Sequence, residues 1–333
     1  MIHMKKRRPF PLAALCVLLA FSLCACSGET AVSTSDDVSL STSEPPVSEI
    51  SIGTISDIPL FPSSASEPAS SATSDTSATQ GSSVPSVAST PASSISVPAG
   101  SPLLPIAPPD TDTHGLSDSQ IFSFYQDAVF VGDSISLGWR NYVSKIRKSD
   151  SLFFGGSDGT QFLVSGSLGA GNSLWGISDE SVHPSYQGTQ MQLWNSIPLT
   201  GAKKVFVMFG LNDVALYGVD QTLANFATLF GKIKANVPDV QFYVLSATYV
   251  KAGGERGKLT SSLLRELNLA LINFCNQNGY AFINIADALA DSDGNLKAEY
   301  CSDGFVHQTN AAYEVWTSLL KGYAAAQLSA SAQ

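Results

Sequence analysis

The sequence contains few of the residues on which several kinds of protein depend. Its 333 residues include five cysteines and four histidines, and these form no Cys/His cluster with metal-ligand spacing, so no zinc site is expected. Lys and Arg number 18 against 28 Asp and Glu. Since nothing resembles a basic patch, nucleic acid is not an expected partner. No apolar run beyond the N-terminus approaches the roughly 20 residues that span a bilayer, so we expect any membrane attachment to come from the N-terminus.

The net charge of −10 is unevenly distributed along the chain. Residues 1–26 hold four cations and no acid, residues 27–114 hold ten acids and no Lys or Arg, and residues 115–333 hold eighteen acids and fourteen cations. Most of the acidity therefore belongs to the middle region. The last region is nearly balanced and is long enough for one domain with a sizeable core. These boundaries predict three regions of different character.

Residues 1–26 have the pattern of a secretory signal. The cationic run Lys5–Arg8 precedes the apolar run Pro11–Leu23, which is short for a transmembrane helix. The ending Leu23-Cys24-Ala25-Cys26 resembles the bacterial lipobox, which predicts that Cys26 becomes the lipidated first residue of the mature chain. A signal peptide cleaved near Ala25, or an uncleaved anchor, is the alternative. We therefore expect an exported lipoprotein, anchored to the outer face of the bacterial cytoplasmic membrane at the cell surface.

Residues 27–114 have the composition of a disordered tether. They are rich in Ser, Thr, Ala and Pro, and Phe61 is their only aromatic residue. Such a segment buries too little apolar surface to offset the entropy of ordering it. We expect a spacer that holds the domain away from the membrane, in or beyond a cell wall; a passive low-complexity insert is the alternative.

The cysteines are too few for a disulfide framework. Cys16 and Cys24 would leave with the signal and Cys26 would be lipidated, so only Cys275 and Cys301 remain in the domain. Two buried free thiols are favoured over a single bridge, which stays open.

From residue 115 onward, short apolar runs alternate with segments of helical periodicity, such as residues 223–233 and 263–274. This alternation predicts a parallel sheet of about five strands with helices on both faces. The predicted strands are Ala128–Val131, Phe162–Ser165, Lys204–Phe209, Gln241–Ala247 and Tyr280–Ile285.

Polar residues follow two of these strands, at the edge where ligands bind to parallel sheets. Ser134 follows the first strand and opens a helix, where free backbone N–H groups suit a nucleophile. Asn212 follows the third strand and can donate to the oxyanion that such a nucleophile creates. Structural interpretations stay open, because Gly-Asp-Ser is also a common turn and Asp213 favours a cap for the next helix.

A serine nucleophile needs a base, and the four histidines leave few choices. His3 lies in the signal, His114 at the tether boundary, and His183 in a loop without a nearby acid pattern. His307, at the end of a Cys-Ser-Asp-Gly-Phe-Val-His run, is therefore favoured. A surface histidine in an ordinary loop is the alternative.

Together these motifs resemble the SGNH/GDSL hydrolase family. Gly132-Asp133-Ser134 matches its first block, Gly210-Leu211-Asn212-Asp213 its third, and the run from Asp303 to His307 its fifth, in the family's order between residues 128 and 320. The resemblance implies a flavodoxin-like three-layer α/β/α fold for residues 115–333. It also implies that Ser134 is the nucleophile, His307 the base and Asp303 the acid that orients the base.

The resemblance further implies an oxyanion hole formed by the Ser134 N–H, the Asn212 amide and a glycine N–H from the second block. Gly171 is preferred, since Gly171-Asn172-Ser173 resembles the family's Gly-x-Thr/Ser, and Gly169 is second. One departure concerns the acid, which usually precedes the histidine by three residues, whereas Asp303 precedes His307 by four. Without Asp303, a backbone carbonyl could hold the imidazole.

The resemblance implies a serine esterase that forms an acyl-enzyme and needs no metal or organic cofactor, and the predicted signal implies that it is extracytoplasmic. The expected export favours deacetylation of cell-wall or other polysaccharides. The alternatives are a lipid esterase or lysophospholipase, an acyltransferase, and a non-catalytic glycan-binding wall module. The candidate sugar-stacking residues are Trp139, Trp175, Tyr186, Trp194 and Tyr217.

Overall fold

A computed structural model describes residues 107–332 of the chain. The predicted signal, including Cys26, and the predicted tether as far as residue 106 lie outside the described residues. Within residues 107–332, no helix is both long enough and apolar enough to cross a bilayer.

A five-stranded parallel sheet lies at the centre of the described chain. Residues 107–332 contain seven strands, five of which form this sheet. They are β1 (Ala128–Gly132), β2 (Gln161–Val164), β3 (Ser185–Tyr186), β4 (Thr189–Gln190), β5 (Lys204–Met208), β6 (Gln241–Leu245) and β7 (Ala281–Ile283). The order across the sheet is β2-β1-β5-β6-β7, and every neighbouring pair is parallel. β3 and β4 form a separate antiparallel hairpin. The predicted sheet is therefore confirmed, with strand ends that differ by one or two residues.

Within residues 107–332, six α-helices cover the two faces of this sheet. They are α1 (Asp118–Ser123), α2 (Ser134–Ile146), α3 (Leu193–Thr200), α4 (Val214–Asn236), α5 (Ser261–Asn278) and α6 (Asn310–Ser331). α6 contacts α1 and α2, whereas α4 contacts α3 and α5. The result is the three-layer α/β/α arrangement predicted from the sequence.

After their first residue, the central strands β5 and β6 are apolar and buried, because helices cover both faces of the sheet. All five residues of β1 are buried. On one face of the sheet, Phe130, Phe206 and Tyr243 occupy paired positions on three adjacent strands. Their rings stack with centroids 4.7 Å and 4.5 Å apart. This row of aromatic rings fixes β1, β5 and β6 relative to one another, and hence the loops that follow them.

The described chain enters the domain along the second half of α6. A Cβ atom at Gly322 would lie 1.9 Å from the backbone oxygen of Asp110, so only glycine allows this close approach. Lys321 also pairs with Asp118 at 2.5 Å, at the start of α1. Packing thus begins before residue 115, where the sequence places the boundary of the domain.

Candidate active site

Ser134 is the first residue of α2 and follows β1 directly. Asp133 caps this helix, and its Oδ1 accepts a hydrogen bond from the Ile135 N–H at 2.9 Å. Gly132 permits the tight turn, because a Cβ atom there would lie 2.0 Å from Ser136 Oγ and 3.0 Å from the Met208 oxygen. As the first helical residue, Ser134 has an N–H group without an acceptor inside the helix.

Ser134, His307 and Asp303 form a continuous chain of hydrogen bonds. Ser134 Oγ lies 2.9 Å from His307 Nε2, and His307 Nδ1 lies 2.5 Å from Asp303 Oδ2. Because a carboxylate only accepts hydrogen bonds, it places the imidazole proton on Nδ1. Nε2 is then free to accept the proton of Ser134.

The four-residue spacing between Asp303 and His307 is accommodated by a turn around the carboxylate. Asp303 Oδ1 accepts the backbone N–H groups of Phe305, Val306 and His307 at 2.8, 3.1 and 3.1 Å. Partial burial acts to raise the pKa of Asp303, but the hydrogen bonds from His307 and the backbone outweigh it and hold that pKa below its usual value. Asp303 is therefore ionised at neutral pH, as the orienting role requires.

A second loop, residues 251–259, packs against the turn between Asp303 and His307. The Lys251 N–H donates to the Phe305 oxygen at 2.8 Å, and the Arg256 guanidinium lies 3.9 Å from the centre of the Phe305 ring. Gly254 allows the contact, since a Cβ there would lie 2.5 Å from the Gly304 oxygen. Sequence reasoning did not identify this loop, whose only local signal is its three glycines.

A phenol on α6 fixes the position of the helix that follows His307. Tyr313 donates to the Ile135 oxygen at 2.9 Å, which joins the first turns of α6 and α2. Gly138 leaves room for that phenol, since a Cβ there would lie 2.0 Å from the Tyr313 oxygen. The helix that follows His307 is thereby held against the helix that begins with Ser134.

Asn212 lies in the loop after β5, the strand that pairs with β1. Its Nδ2 donates to the Leu168 oxygen at 3.1 Å. An amide nitrogen carries two hydrogens, so the second remains for a ligand. The Ser134 N–H and this amide hydrogen are the donors that the arrangement offers to an oxyanion.

The prediction that Gly171 donates to the oxyanion needs correction. In the structure, its N–H donates to Asp213 Oδ1 at 2.8 Å. The N–H of Gly169, the second choice, donates to Asn172 Oδ1 at 2.8 Å. Both donors are thus already used, because Asp213 and Asn172 organise the loop that contains them.

Asp213 occupies the N-cap position of α4 but makes no side-chain cap there. Its carboxylate instead reaches the loop after β2, where it accepts the N–H groups of Gly171 and of Ala170, the latter at 3.1 Å. Burial raises the pKa of Asp213, although these backbone hydrogen bonds oppose the shift. The residue predicted as a helix cap therefore joins two loops of the site.

The model of the GDSL-like lipase/acylhydrolase family matches residues 130–315, more than half of the 333-residue chain. The chain belongs to this family. The match contains every residue of the Ser134–His307–Asp303 chain and Asn212.

Solved structures similar to this family member include a GDSL-like lipase from Bacteroides thetaiotaomicron, at 19% identity and a TM-score of 0.45, covering 64% of this chain and 93% of that one. The lipase/acylhydrolase of Enterococcus faecalis has 14% identity and a TM-score of 0.44, with coverages of 60% and 96%. The periplasmic domain of a Salmonella Paratyphi A lipopolysaccharide acetyltransferase has 14% identity and a TM-score of 0.40, with coverages of 57% and 80%. No curated protein matches the sequence.

The aromatic residues named as sugar-stacking candidates have different environments in this GDSL-like domain. Trp139 is fully buried, so that candidate was wrong. Tyr186 donates its phenol to the Leu199 oxygen, and Trp194 lies beneath the Lys232 ammonium; both are half-buried. Trp175 and Tyr217 alone among the five are exposed. In the sequence, Trp175 follows the loop that contains Gly171, and Tyr217 follows Asn212.

The two domain cysteines of this family member are free. Cys275 is buried, whereas Cys301 is only half-buried, which corrects the expectation that both thiols are buried. Burial raises the pKa of the Cys275 thiol to about 12, so it stays protonated. Cys301 Sγ lies 3.6 Å from Asp303 Oδ1 and is one more donor around the Asp303 carboxylate.

Asp133 makes the stability of this GDSL-like domain depend on pH. Its carboxyl is fully buried, and its Oδ2 has no hydrogen-bond partner among the described residues. Burial, with a smaller contribution from the charge of Asp213, raises the pKa of Asp133 to about 7, against opposing backbone hydrogen bonds. In the unfolded chain an aspartate titrates near 3.9. Between about pH 4 and 7, the folded state therefore holds a proton that the unfolded state has lost.

We expect the Asp133 contribution to the free energy of unfolding to decline as the pH rises from 4 to 7, by at most about 1.4 kcal/mol per pH unit, and to level off above that range. Asp133→Asn should remove this contribution, because an amide does not titrate and its oxygen can still cap α2. Urea unfolding of both proteins at four pH values between 4.5 and 7.5 measures the difference in slope. Since Asp213 has a raised pKa too, part of the slope should persist in the variant. Identical slopes in both proteins would contradict the expectation.

Proposed function

We propose that this chain is a serine esterase that cleaves carboxylic esters through an acyl-enzyme. The central support is the continuous hydrogen-bonded chain from Asp303 through His307 to Ser134, with distances of 2.5 and 2.9 Å. His307 Nε2 takes the proton of Ser134 as Oγ attacks the ester carbonyl. Asp303 keeps the imidazole in the required tautomer and stabilises its positive charge.

The tetrahedral intermediate carries a negative charge that the start of α2 and the end of β5 are suited to bind. The Ser134 N–H belongs to the first turn of a helix, where the helix dipole favours negative charge. The second hydrogen of the Asn212 amide provides a side-chain donor. Gly171 and Gly169 have no part in this proposal, because their N–H groups bind Asp213 and Asn172.

Collapse of the intermediate completes the first half of the reaction. The C–O bond of the ester breaks, and His307 gives the proton from Ser134 to the departing alkoxide. Water then attacks the acyl-enzyme, with His307 again acting as the base, and the acid is released with Ser134 regenerated. The cycle requires neither a metal nor an organic cofactor.

For the substrate, we propose O-acetylated cell-wall or other polysaccharide. The support is the expected position of the chain, which we propose to be exported and anchored at the cell surface through lipidated Cys26. The aromatic side chains of Trp175 and Tyr217, in the segments that follow Gly171 and Asn212, are half-exposed and suit sugar rings. We propose neither nucleic acid nor a metal as a partner.

The test is release of acetate from acetylated polymers. The chain from residue 27 onward, with Cys26 and the signal removed, is incubated with acetylated peptidoglycan and with acetylated plant polysaccharide. We expect enzyme-dependent release of acetate, and none from the same polymers after alkaline deacetylation. Hydrolysis of lysophospholipid without any release of acetate would contradict the proposed substrate and would favour a lipid esterase.

A further inference from the structure

Most of the exposed large apolar side chains of residues 107–332 lie in two short segments. Six occur within residues 107–332, and four of them lie in two short segments that follow the Gly171 loop and Asn212. Their exposed fractions are 49% for Trp175, 45% for Ile177, 48% for Leu216 and 37% for Tyr217. Exposed apolar residues that gather in one region commonly mark a binding surface.

Tyr217 is held against the loop that follows β2. A Cβ atom at Gly171 would lie 2.5 Å from Cε2 of the Tyr217 ring, so a glycine is needed for the ring to lie there. Gly218 has φ 74° and ψ 173°, which interrupts α4 immediately after Tyr217. Few residues other than glycine adopt this conformation. The interruption separates the turn that contains Tyr217 from the rest of the helix.

Trp175 is fixed by its backbone, although its ring is half-exposed. Its N–H donates to the Asn172 oxygen at 3.2 Å, and its oxygen accepts from His183 Nε2 at 3.0 Å. Burial lowers the pKa of His183, so this histidine is neutral. A neutral imidazole that donates from Nε2 fixes the backbone from which the Trp175 ring extends, and a fixed backbone reduces the conformational entropy that binding costs.

The Asn225 amide lies beside the Tyr217 ring, and the Gln221 amide is hydrogen-bonded to Asn225. Asn225 Nδ2 would lie 3.0 Å from a Cβ atom at Gly171, and Asn225 Oδ1 accepts a hydrogen bond from Gln221 Nε2 at 3.0 Å. Asn225 Nδ2 therefore retains donors, and the Gln221 oxygen retains acceptor capacity. Both groups face the same side of α4, since they are four residues apart.

This combination suits a sugar ring better than an acyl chain. A pyranose presents a C–H face that packs on an aromatic ring, and hydroxyl groups at its rim that bind amides. A fatty acyl chain would leave the amides unpaired, at a cost in binding free energy. A long acyl chain also gains most from an enclosed channel, whereas Trp175 and Tyr217 expose a third to a half of their surface.

We infer that Trp175 and Tyr217, with Gln221 and Asn225, form a subsite that binds a sugar ring of the polymer next to the ester to be cleaved. The inference deepens the proposed esterase function and rests on it. In this arrangement the alcohol side of the ester lies over the aromatic rings, and the small acyl group lies between Ser134 and Asn212.

The experiment compares two substrates in Trp175→Ala and Tyr217→Ala. For each protein, kcat/KM is measured on acetylated polysaccharide and on p-nitrophenyl acetate, which has no sugar. We expect the ratio of the two values to fall about tenfold in each variant, mainly through a higher KM for the polymer. Trp175→Phe should restore most of the ratio, because a flat ring is retained. Leu199→Ala, which truncates an apolar residue that is 55% exposed on α3, is the matched control and should leave the ratio unchanged.

Equal losses on both substrates would overturn the inference, because they would indicate a structural role for the rings. A ratio that stays at the wild-type value would overturn it as well. A variant that instead loses activity on p-nitrophenyl octanoate relative to p-nitrophenyl acetate would assign the rings to an acyl chain.

A binding measurement separates this inference from the esterase proposal. Migration of the full exported chain with Ser134→Ala is compared in native gels with and without acetylated polysaccharide. Retardation that is lost on adding Trp175→Ala supports the subsite even if the wild-type protein hydrolyses no ester. Absence of retardation in an active esterase would overturn the subsite alone.

Discussion

Replacing Ser134 with alanine is expected to reduce ester hydrolysis on the order of 10⁴- to 10⁶-fold. The change removes the atom that attacks the carbonyl and leaves His307 without a group to deprotonate. The fold should be unaffected, because the Ser134 side chain contacts His307 alone through its hydroxyl and the cap of α2 comes from Asp133. Initial rates on p-nitrophenyl acetate measure the loss.

A fluorophosphonate probe gives a second measurement of the same prediction. The probe labels only an activated serine, so we expect one labelled residue in the wild-type protein and none in Ser134→Ala. Ser144→Ala is the matched control, because Ser144 lies on the same helix and is exposed. Labelling that persists in Ser134→Ala would refute the assignment, and a folded wild-type protein that takes no label would favour a non-catalytic glycan-binding module.

Asp303→Asn is expected to reduce kcat on the order of 10⁴-fold. The asparagine oxygen can still accept the three backbone N–H groups that surround Oδ1, so the turn should be retained. Its amide nitrogen, however, would donate to His307 Nδ1 where the carboxylate accepts. The imidazole proton would then move to Nε2, and the base would no longer be able to take the proton of Ser134.

Single-turnover rates and circular dichroism together test this prediction. The first measures the chemical step, and the second shows that the fold is retained. The control for the loss of a nearby charge is Glu255→Gln. Glu255 is exposed, and its loop, residues 251–259, packs on the turn between Asp303 and His307. A loss of less than tenfold in Asp303→Asn would show that another group orients His307, such as a backbone carbonyl.

The residues at the strand ends were predictable from the sequence because of a rule of topology. Parallel strands end at one edge, so Ser134 after β1 and Asn212 after β5 had to lie near each other once the strands were recognised. His307 followed from the small number of histidines. Whether Asp303 reaches His307 across a four-residue spacing could not be predicted, because that contact depends on a turn that closes around the carboxylate through three backbone hydrogen bonds.

The hydrogen bonds of the loop after β2 could not be predicted from the sequence, for a physical reason. Whether Gly171 donates to an oxyanion or to Asp213 depends on a contact between residues 42 positions apart. A buried carboxylate must find donors, and Asp213 could equally have found them in its own helix. Trp139 was a different case, because Ile135, Trp139 and Val143 repeat at helical spacing and thus already indicated a buried face.

The path of the chain around α6 separates the point of attachment from the place of reaction. α6 begins beside His307, and Gly322, where Asp110 lies against it, is twelve residues further, or about 18 Å along the axis. The incoming chain therefore meets the domain at the amino-terminal edge of the sheet, opposite Ser134. A substrate can therefore approach Ser134 without meeting residues 107–110, the first that the structure describes.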